Sequence, residues 1–197
     1  MAKERLKSPR ARLFVALDLP EALREGIAAW GRSELRDPAL RVVPPESLHV
    51  TLAFLGYLPE KEVGRLEEIV AGLESPAPTI ALGDPIARPS PRRARVFVLP
   101  AESSGAVALQ AELEEKLVAE RLYKPEKRAF WPHVTVARVK SEGRGSKRPM
   151  RVSTLPGALT KALSQPAGAI RTALYRSELN PQGARYVSLA QVELSEK

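Results

Sequence analysis

The chain has 197 residues, 44% of them hydrophobic, with a net charge of +8, two histidines and no cysteine. This length can bury a substantial core, and the lack of cysteine excludes a disulfide scaffold, a thiolate zinc site and a cysteine nucleophile. The positive charge favours anionic partners such as nucleic acid or phosphorylated metabolites.

The predicted location follows from hydropathy. No apolar run approaches the roughly 20 residues that a membrane span needs. The basic N-terminal stretch MAKERLKSPRARLFVAL has only a short apolar part and no small-residue cleavage site, which is atypical of a signal peptide. We therefore expect a cytoplasmic protein with no membrane partner, and a monomer.

Hydrophobic periodicity and turn residues divide the chain into alternating strands and helices. In chain order, we predict a strand over 12–19, a helix over 21–34, strands over 39–44 and 48–55, a helix over 59–73, strands over 79–89 and 94–100, a helix over 103–122, a strand over 130–139, a basic loop over 143–151, a short helix over 155–165, and a closing hairpin of strands 168–179 and 184–194 around a turn at 180–183. Ser103 or Ser104 is expected to cap the long third helix. This order predicts an α+β fold of two similar lobes within a single domain over residues 1–197.

Both histidines begin the same short sequence motif. His49 begins HVTLA and His133 begins HVTVA, 84 positions later. With six threonines in the chain, the chance that both histidines have threonine two positions later is about one in a thousand. Strand propensity explains the valines of this motif but not the repeated histidine, so the repeat indicates a functional role.

On a strand, residues two apart share a face. His49, Thr51 and Ala53 are therefore expected on one face, as are His133, Thr135 and Ala137 in the second copy. The small alanines would leave room for a ligand, while the valines and leucines of the other face belong to a core. The two strands are expected to lie side by side or to face each other across one cleft.

Two histidines and two threonines fit chemistry at a phosphodiester. An imidazole titrates near pH 6.5, so one copy can be neutral and accept a proton from an attacking hydroxyl or water. The other copy can be charged and donate a proton to the departing oxygen. Each threonine hydroxyl can donate a hydrogen bond to a non-bridging phosphate oxygen.

Other reaction types fit the sequence less well. Catalytic zinc usually has three protein ligands, and no carboxylate stands at a spacing that indicates a third. The chain has no HExxH, GxSxG, Walker or GxGxxG motif.

The two H-x-T-x motifs at 49–52 and 133–136 resemble those of the 2H phosphoesterase superfamily. Within it, the chain is similar to the RNA 2′,3′-cyclic phosphodiesterases, long called 2′-5′ RNA ligases. The likeness runs nearly end to end, through RLFVALDLP, PESLHVTLAFLG, ARVFVLP, FWPHVTVAR and LYRSELNPQGARYVSL. It implies a bilobal α+β fold with pseudo-twofold symmetry around a central cleft.

The resemblance also implies an activity and residue roles. The activity is opening of an RNA 2′,3′-cyclic phosphate to a 2′-phosphate without metal or other cofactor, with 2′-5′ ligation as the reverse direction. By correspondence, His49 donates a proton, His133 accepts one, and Thr51 and Thr135 contact the phosphate. Arg138 matches a phosphate-contacting arginine, although strict alternation aims it away from His133. At Ala53 many members have lysine, which suggests a weaker substrate contact here.

Two alternatives remain at this point. One is a related 2H enzyme that acts on small cyclic nucleotides or 2′-5′ oligonucleotides, and the other is a non-catalytic RNA-binding module. Basic residues cluster over 88–95, 121–128 and 138–151. The first and last of these clusters either hold RNA phosphates or form solvated loops.

Overall fold

The computed structural model describes residues 9–143, 145–180 and 183–194. Within that part, the α-helices are α1 (Glu21–Glu34), α2 (Val63–Ala71) and α3 (Ser104–Ala119). The strands are β1 (Arg10–Asp18), β2 (Leu40–Val42), β3 (His49–Pro59), β4 (Thr79–Leu82), β5 (Ile86–Arg88), β6 (Val96–Glu102), β7 (His133–Val139), β8 (Ala167–Gly168), β9 (Arg171–Asn180) and β10 (Gly183–Glu193). Arg144 of the predicted basic loop, and Pro181 and Gln182 of the predicted turn, lie outside the described residues.

The strands form one antiparallel sheet in the order β10-β9-β1-β3-β7-β6-β4-β8, with β2 beside β7 and β5 beside β6. The two motif strands, β3 and β7, are neighbours in the middle and pair at Val50 and Val134. Both valines are fully buried, so the histidines that precede them face the other side of the sheet. The expectation that the two motif strands lie side by side is confirmed.

The C-terminal hairpin lies beside the N-terminal strand. β9 pairs with β1 on one side and with β10 on the other, and Gly183 pairs with Asn180 across the predicted turn. The predicted hairpin is confirmed, and it extends the sheet on the β3 side of the motif strands.

The helices cover the buried face of the sheet. In α3, Leu109, Leu113 and Leu117 recur every four residues and are fully buried, which is the stripe expected of an amphipathic helix. The Ser103 hydroxyl accepts a hydrogen bond of 3.0 Å from the Ala106 N–H, so the predicted cap is confirmed. The α2 and α3 helices pack on each other, on the hairpin and on β3.

A β-bulge interrupts each motif strand at the same place. Against β1, Thr51 and Ala53 pair with consecutive residues, so Leu52 is extra. Against β6, Thr135 and Ala137 pair with consecutive residues, so Val136 is extra. An extra residue reverses the alternation of every side chain beyond it.

These bulges overturn one prediction. Ala53 and Ala137 do not share the face of the histidines, because the bulge turns both into the core, where they are 2% and 0% exposed. Phe54 and Arg138 take the exposed side instead. The small residue at position 53 therefore does not shape the surface that a substrate meets.

The predicted short helix over 155–165 is also wrong. Residues 155–160 have no regular structure and 161–164 form a turn. The N–H of Gly157 donates to Glu34 and that of Leu159 donates to Asp84, at 2.9 Å each. Pro156 has no N–H to contribute to a helix. These hydrogen bonds to carboxylates of other segments thus prevent the backbone from forming a helix here.

Two predicted strands are shorter than the sequence indicated. The strand expected over 79–89 divides into β4 and β5, and the one expected over 39–44 is reduced to three residues. The antiparallel sheet with few helices confirms the α+β class. The division into two lobes and the single domain over 1–197 stay predictions. No helix in the described residues is long and apolar enough to cross a membrane.

Candidate active site

A cleft of about 320 Å³ lies over the middle of the sheet, where the two motif strands meet. All five residues that the sequence singled out line it, as do residues from β1, β2 and the C-terminal hairpin. The five are His49, Thr51, His133, Thr135 and Arg138. The fold therefore brings together two motifs that are far apart in the chain.

The His49 ring is fixed on both nitrogens. Its Nδ1 lies 2.8 Å from the Ser47 carbonyl oxygen, which can only accept, so Nδ1 carries a proton. Its Nε2 lies 3.1 Å from the Thr51 hydroxyl. The ring stacks on Phe14 with centroids 5.1 Å apart, and Tyr186 meets it edge-on at 5.3 Å.

The His133 ring repeats the first of these contacts. Its Nδ1 donates to the Trp131 carbonyl oxygen at 2.8 Å, again two residues earlier in the chain. Its Nε2 is therefore the nitrogen available to a ligand in the cleft. The ring stacks on Trp131 with centroids 5.0 Å apart. The Arg88 guanidinium lies 4.4 Å from the centre of the Trp131 ring.

Burial lowers the pKa of His49 to about 4, because the packed aromatic rings disfavour the charged imidazolium. The Ser47 carbonyl and the nearby charge of Asp18 act in the opposite direction, while Arg138 and His133 lower the pKa further. The free protein thus holds His49 neutral at neutral pH.

Asp18 lies directly across the β1–β3 ladder from His49. Its carboxylate accepts a 2.6 Å hydrogen bond from Arg171 and 2.9 Å contacts from the Tyr175 hydroxyl. Burial and the Asp18 charge raise the pKa of Tyr175, so its hydroxyl stays protonated and donates. Arg171 and Tyr175 thus hold the carboxylate whose charge acts on His49.

The bulge in β7 resolves the orientation of Arg138. Without it, strict alternation would turn this side chain away from His133. With Val136 extra, Arg138 returns to the histidine side and lines the cleft. The same shift in β3 puts Phe54 at the matching place, where the Arg12 guanidinium lies 4.6 Å from the centre of its ring.

The model of the 2′-5′ RNA ligase superfamily matches residues 19–147 of the chain. The chain belongs to this superfamily. It is similar to the RNA 2′,3′-cyclic phosphodiesterase of Thermus thermophilus, with 34% identity over 93% of this chain and 90% of the relative. It is also similar to that of Methanothermobacter thermautotrophicus, with 32% identity over 91% of this chain and 97% of the relative.

Solved structures agree with this membership. The crystal structure of Escherichia coli LigT complexed with phosphate has a TM-score of 0.73 and 27% identity, and covers 96% of this chain and 100% of that one. The resemblance to the 2H phosphoesterases is confirmed. The chain is an enzyme of this superfamily, a hydrolase of the cyclic phosphodiesterase type.

Sequence reasoning missed several residues of this superfamily member's cleft: Arg12, Phe14, Arg41, Phe54 and Tyr186. They come from four strands, β1, β2, β3 and β10, and all but Phe54 reach the cleft through pairing with strands that are distant in the chain. In the sequence, these residues share only their residue type and location: each is an arginine or an aromatic residue on a predicted strand. In the described residues, no group of three His, Asp or Glu side chains is placed to hold a metal ion.

Proposed function

We propose that this enzyme hydrolyses the 2′,3′-cyclic phosphate at the end of an RNA to a 2′-phosphate, with His49 and His133 as acid and base. The observation that carries the proposal is the shared cleft. Two histidines on neighbouring strands line it, and each has its Nδ1 proton bound to a backbone carbonyl. Each therefore presents Nε2 as the nitrogen for proton transfer.

In the proposed step, His133 Nε2 takes a proton from a water molecule as the water oxygen bonds to phosphorus. The P–O3′ bond breaks, and His49 gives its Nε2 proton to the departing O3′. The products are a 2′-phosphate and a free 3′-hydroxyl, and the two histidines have exchanged protonation states. If the 5′-hydroxyl of a second RNA replaces water, the same step forms a 2′-5′ phosphodiester.

Thr51, Thr135 and Arg138 are proposed to hold the non-bridging phosphate oxygens. Their hydroxyls and guanidinium are donors, and preorganised donors stabilise the charge that grows on phosphorus oxygens in the transition state. The Thr51 hydroxyl contacts His49, and it can rotate to donate to the phosphate when a substrate binds.

The acid role requires His49 to be protonated when the substrate is bound. In the free protein its pKa is about 4, which favours the neutral ring. A phosphate anion in the cleft favours the imidazolium and so raises this pKa. The Asp18 charge acts in the same direction.

The experiment that tests the proposal is product analysis. The protein is incubated in chelator with RNA ended by a 2′,3′-cyclic phosphate and, separately, with nucleoside 2′,3′-cyclic monophosphates, and the products are identified by ³¹P NMR. We expect the 2′-phosphate isomer with full activity in chelator. A 3′-phosphate product, or activity that chelator abolishes and zinc restores, contradicts the proposal. Turnover of the mononucleotides alone would assign the enzyme to small cyclic nucleotides instead.

A further inference from the structure

The cleft contains a pair of arginines, of which the proposed chemistry uses only Arg138. Arg41 on β2 and Arg138 on β7 are directly opposite in the antiparallel ladder. Both side chains are exposed and both line the cleft. Directly opposite residues on neighbouring strands share a face, with Cβ atoms about 4.5–5.5 Å apart.

Such a pair is unfavourable without an anion. Like charges directly opposite each other destabilise a sheet. In the described part of the chain, neither guanidinium has an ion pair or a side-chain hydrogen bond, and no Asp or Glu lines the cleft. A negatively charged ligand that lies between the two would remove this repulsion.

One phosphate does not account for the positive charge. A cyclic phosphodiester carries a single negative charge, and Arg138 is placed to meet it from the strand of His133. Arg12 is engaged elsewhere, since it lies over Phe54 and donates a 2.6 Å hydrogen bond to Ser177. Arg41 therefore remains as a cation in the cleft without an assigned ligand.

The position of Arg41 indicates where a second anion would lie. β3 pairs with β7 at Val134, whereas β2 pairs with β7 farther along, at residues 137–139. Arg41 thus lies beside Arg138, toward the end of β7 that is farther from His133, and widens the positive surface of the cleft there. An RNA strand that places its terminal phosphate between the histidines has its next phosphate one nucleotide away.

We propose that Arg41 binds this second phosphate, the phosphodiester that joins the terminal nucleotide to the rest of the RNA. This inference rests on the proposed function and adds to it a preference for RNA ends over cyclic mononucleotides. The scissile phosphate is bound by the histidines, threonines and Arg138 in both classes of substrate, but only RNA reaches Arg41.

The test combines a protein variant with a substrate variant. Wild type and Arg41→Gln are compared on a nucleoside 2′,3′-cyclic phosphate, on a dinucleotide with the same end, and on that dinucleotide with a neutral methylphosphonate in its internal linkage. We expect Arg41→Gln to lower kcat/KM for the dinucleotide about tenfold or more, as for loss of a hydrogen bond to a charged group. Its rate on the mononucleotide should stay unchanged.

The methylphosphonate decides which phosphate Arg41 contacts. The neutral linkage should lower kcat/KM of the wild type by a similar factor. It should lower kcat/KM of Arg41→Gln little further, because this variant already lacks the arginine that contacts the linkage. If the loss caused by Arg41→Gln and the loss caused by the neutral linkage added together, the proposal would be wrong. It would also be wrong if Arg41→Gln lowered kcat/KM for the mononucleotide as much as for the dinucleotide. Arg41→Lys keeps the charge and should retain part of the preference for the dinucleotide.

A matched control is Arg93→Gln, which removes an exposed arginine of the basic cluster over 88–95 that does not line the cleft. It should leave all three substrates unaffected. In binding to a non-cleavable RNA, Arg41→Gln should reduce the slope of log K against log salt concentration by about one, and Arg93→Gln should not. If wild type fails on every substrate, the proposed function is wrong. If wild type is active and Arg41→Gln matches it, only the second phosphate site is wrong.

Discussion

The two copies of the histidine motif have the same backbone geometry but different neighbouring residues. In both, the histidine Nδ1 donates to a carbonyl two residues earlier, and a bulge follows the threonine. The ring of His49 contacts Phe14, Tyr175 and Tyr186. The ring of His133 contacts Trp131.

The residue across the ladder also differs between the copies. Asp18 lies opposite His49, whereas Pro100 lies opposite His133. A carboxylate beside an imidazole favours its charged form, and proline cannot do so. The repeated motif thus gives the two histidines the same backbone geometry, while the neighbouring strands give them different surroundings. We propose that the Asp18 carboxylate favours His49 as the acid once an anion is bound.

The largest expected effect separates the two roles. His49→Ala and His133→Ala should each lower the hydrolysis rate by about 10²–10⁴, the usual contribution of a positioned acid or base. With a substrate whose leaving group needs no proton, His49→Ala should regain much of its rate and His133→Ala should stay slow. Single-turnover kinetics on both substrates measures this. Rescue of His133→Ala instead would reverse the assigned roles, and loss of RNA binding in both variants would show that the histidines only hold substrate.

The bulges give the two copies different residues at equivalent places, and this difference is also testable. Arg138→Gln should lower kcat/KM about tenfold or more, since a charged hydrogen bond to phosphate is lost. Phe54→Leu changes the matching position of the other copy and should alter kcat/KM by less than about threefold. Steady-state kinetics on the cyclic mononucleotide compares them. Equal losses would mean that the two positions serve the substrate alike.

These bulges also show the limit of prediction from the sequence. The β-α alternation, the repeated motif and the closing hairpin follow from local patterns, and the structure contains them. A bulge depends on the register with a partner strand, so simple alternation assigns Ala53 and Ala137 to the wrong face. Arg41 reaches the cleft through pairing with a strand almost a hundred residues away, and no local pattern identifies it.

The irregular segment near residue 157 has a similar cause. Its composition favours a helix. However, the N–H groups of Ser153 and Thr154 donate to the Asp37 carboxylate, and those of Gly157 and Leu159 donate to Glu34 and Asp84. The Ser153 hydroxyl, with the N–H groups of Ala39 and Thr154, holds the pKa of Asp37 far below its usual range. Such contacts between distant segments outweigh local propensity, and they become visible only in the folded chain.

The third prediction concerns the difference in protonation. The chain has two histidines, so NMR resolves both imidazoles in one titration. We expect His49 in the free protein to titrate near pH 4 and to titrate higher when inorganic phosphate occupies the cleft. An unchanged pKa under saturating phosphate would contradict the proposed acid role.

The same pKa makes stability depend on pH. The folded-state pKa of about 4 lies below the ordinary imidazole pKa of 6.5, so the unfolded chain binds more protons between these values. The free energy of unfolding therefore falls as pH drops through this window, by about 2 kcal/mol between pH 7 and pH 5. Urea unfolding at the two pH values measures this contribution. His49→Gln should remove it and His133→Gln should retain it; an equal slope in all three proteins would show that other groups cause it.

The smallest expected effect tests how His133 is held. Trp131 supports this ring by stacking and by accepting its Nδ1 proton at the backbone carbonyl, which no substitution removes. Trp131→Ala should therefore lower kcat by only about two- to tenfold, the range expected for loss of one aromatic pair. The KM for the cyclic mononucleotide should stay close to that of wild type, because the phosphate contacts remain. Trp131→Phe keeps a ring beside His133 and should recover most of kcat. If Trp131→Ala raised KM with kcat unchanged, the indole would contact the substrate rather than position the histidine.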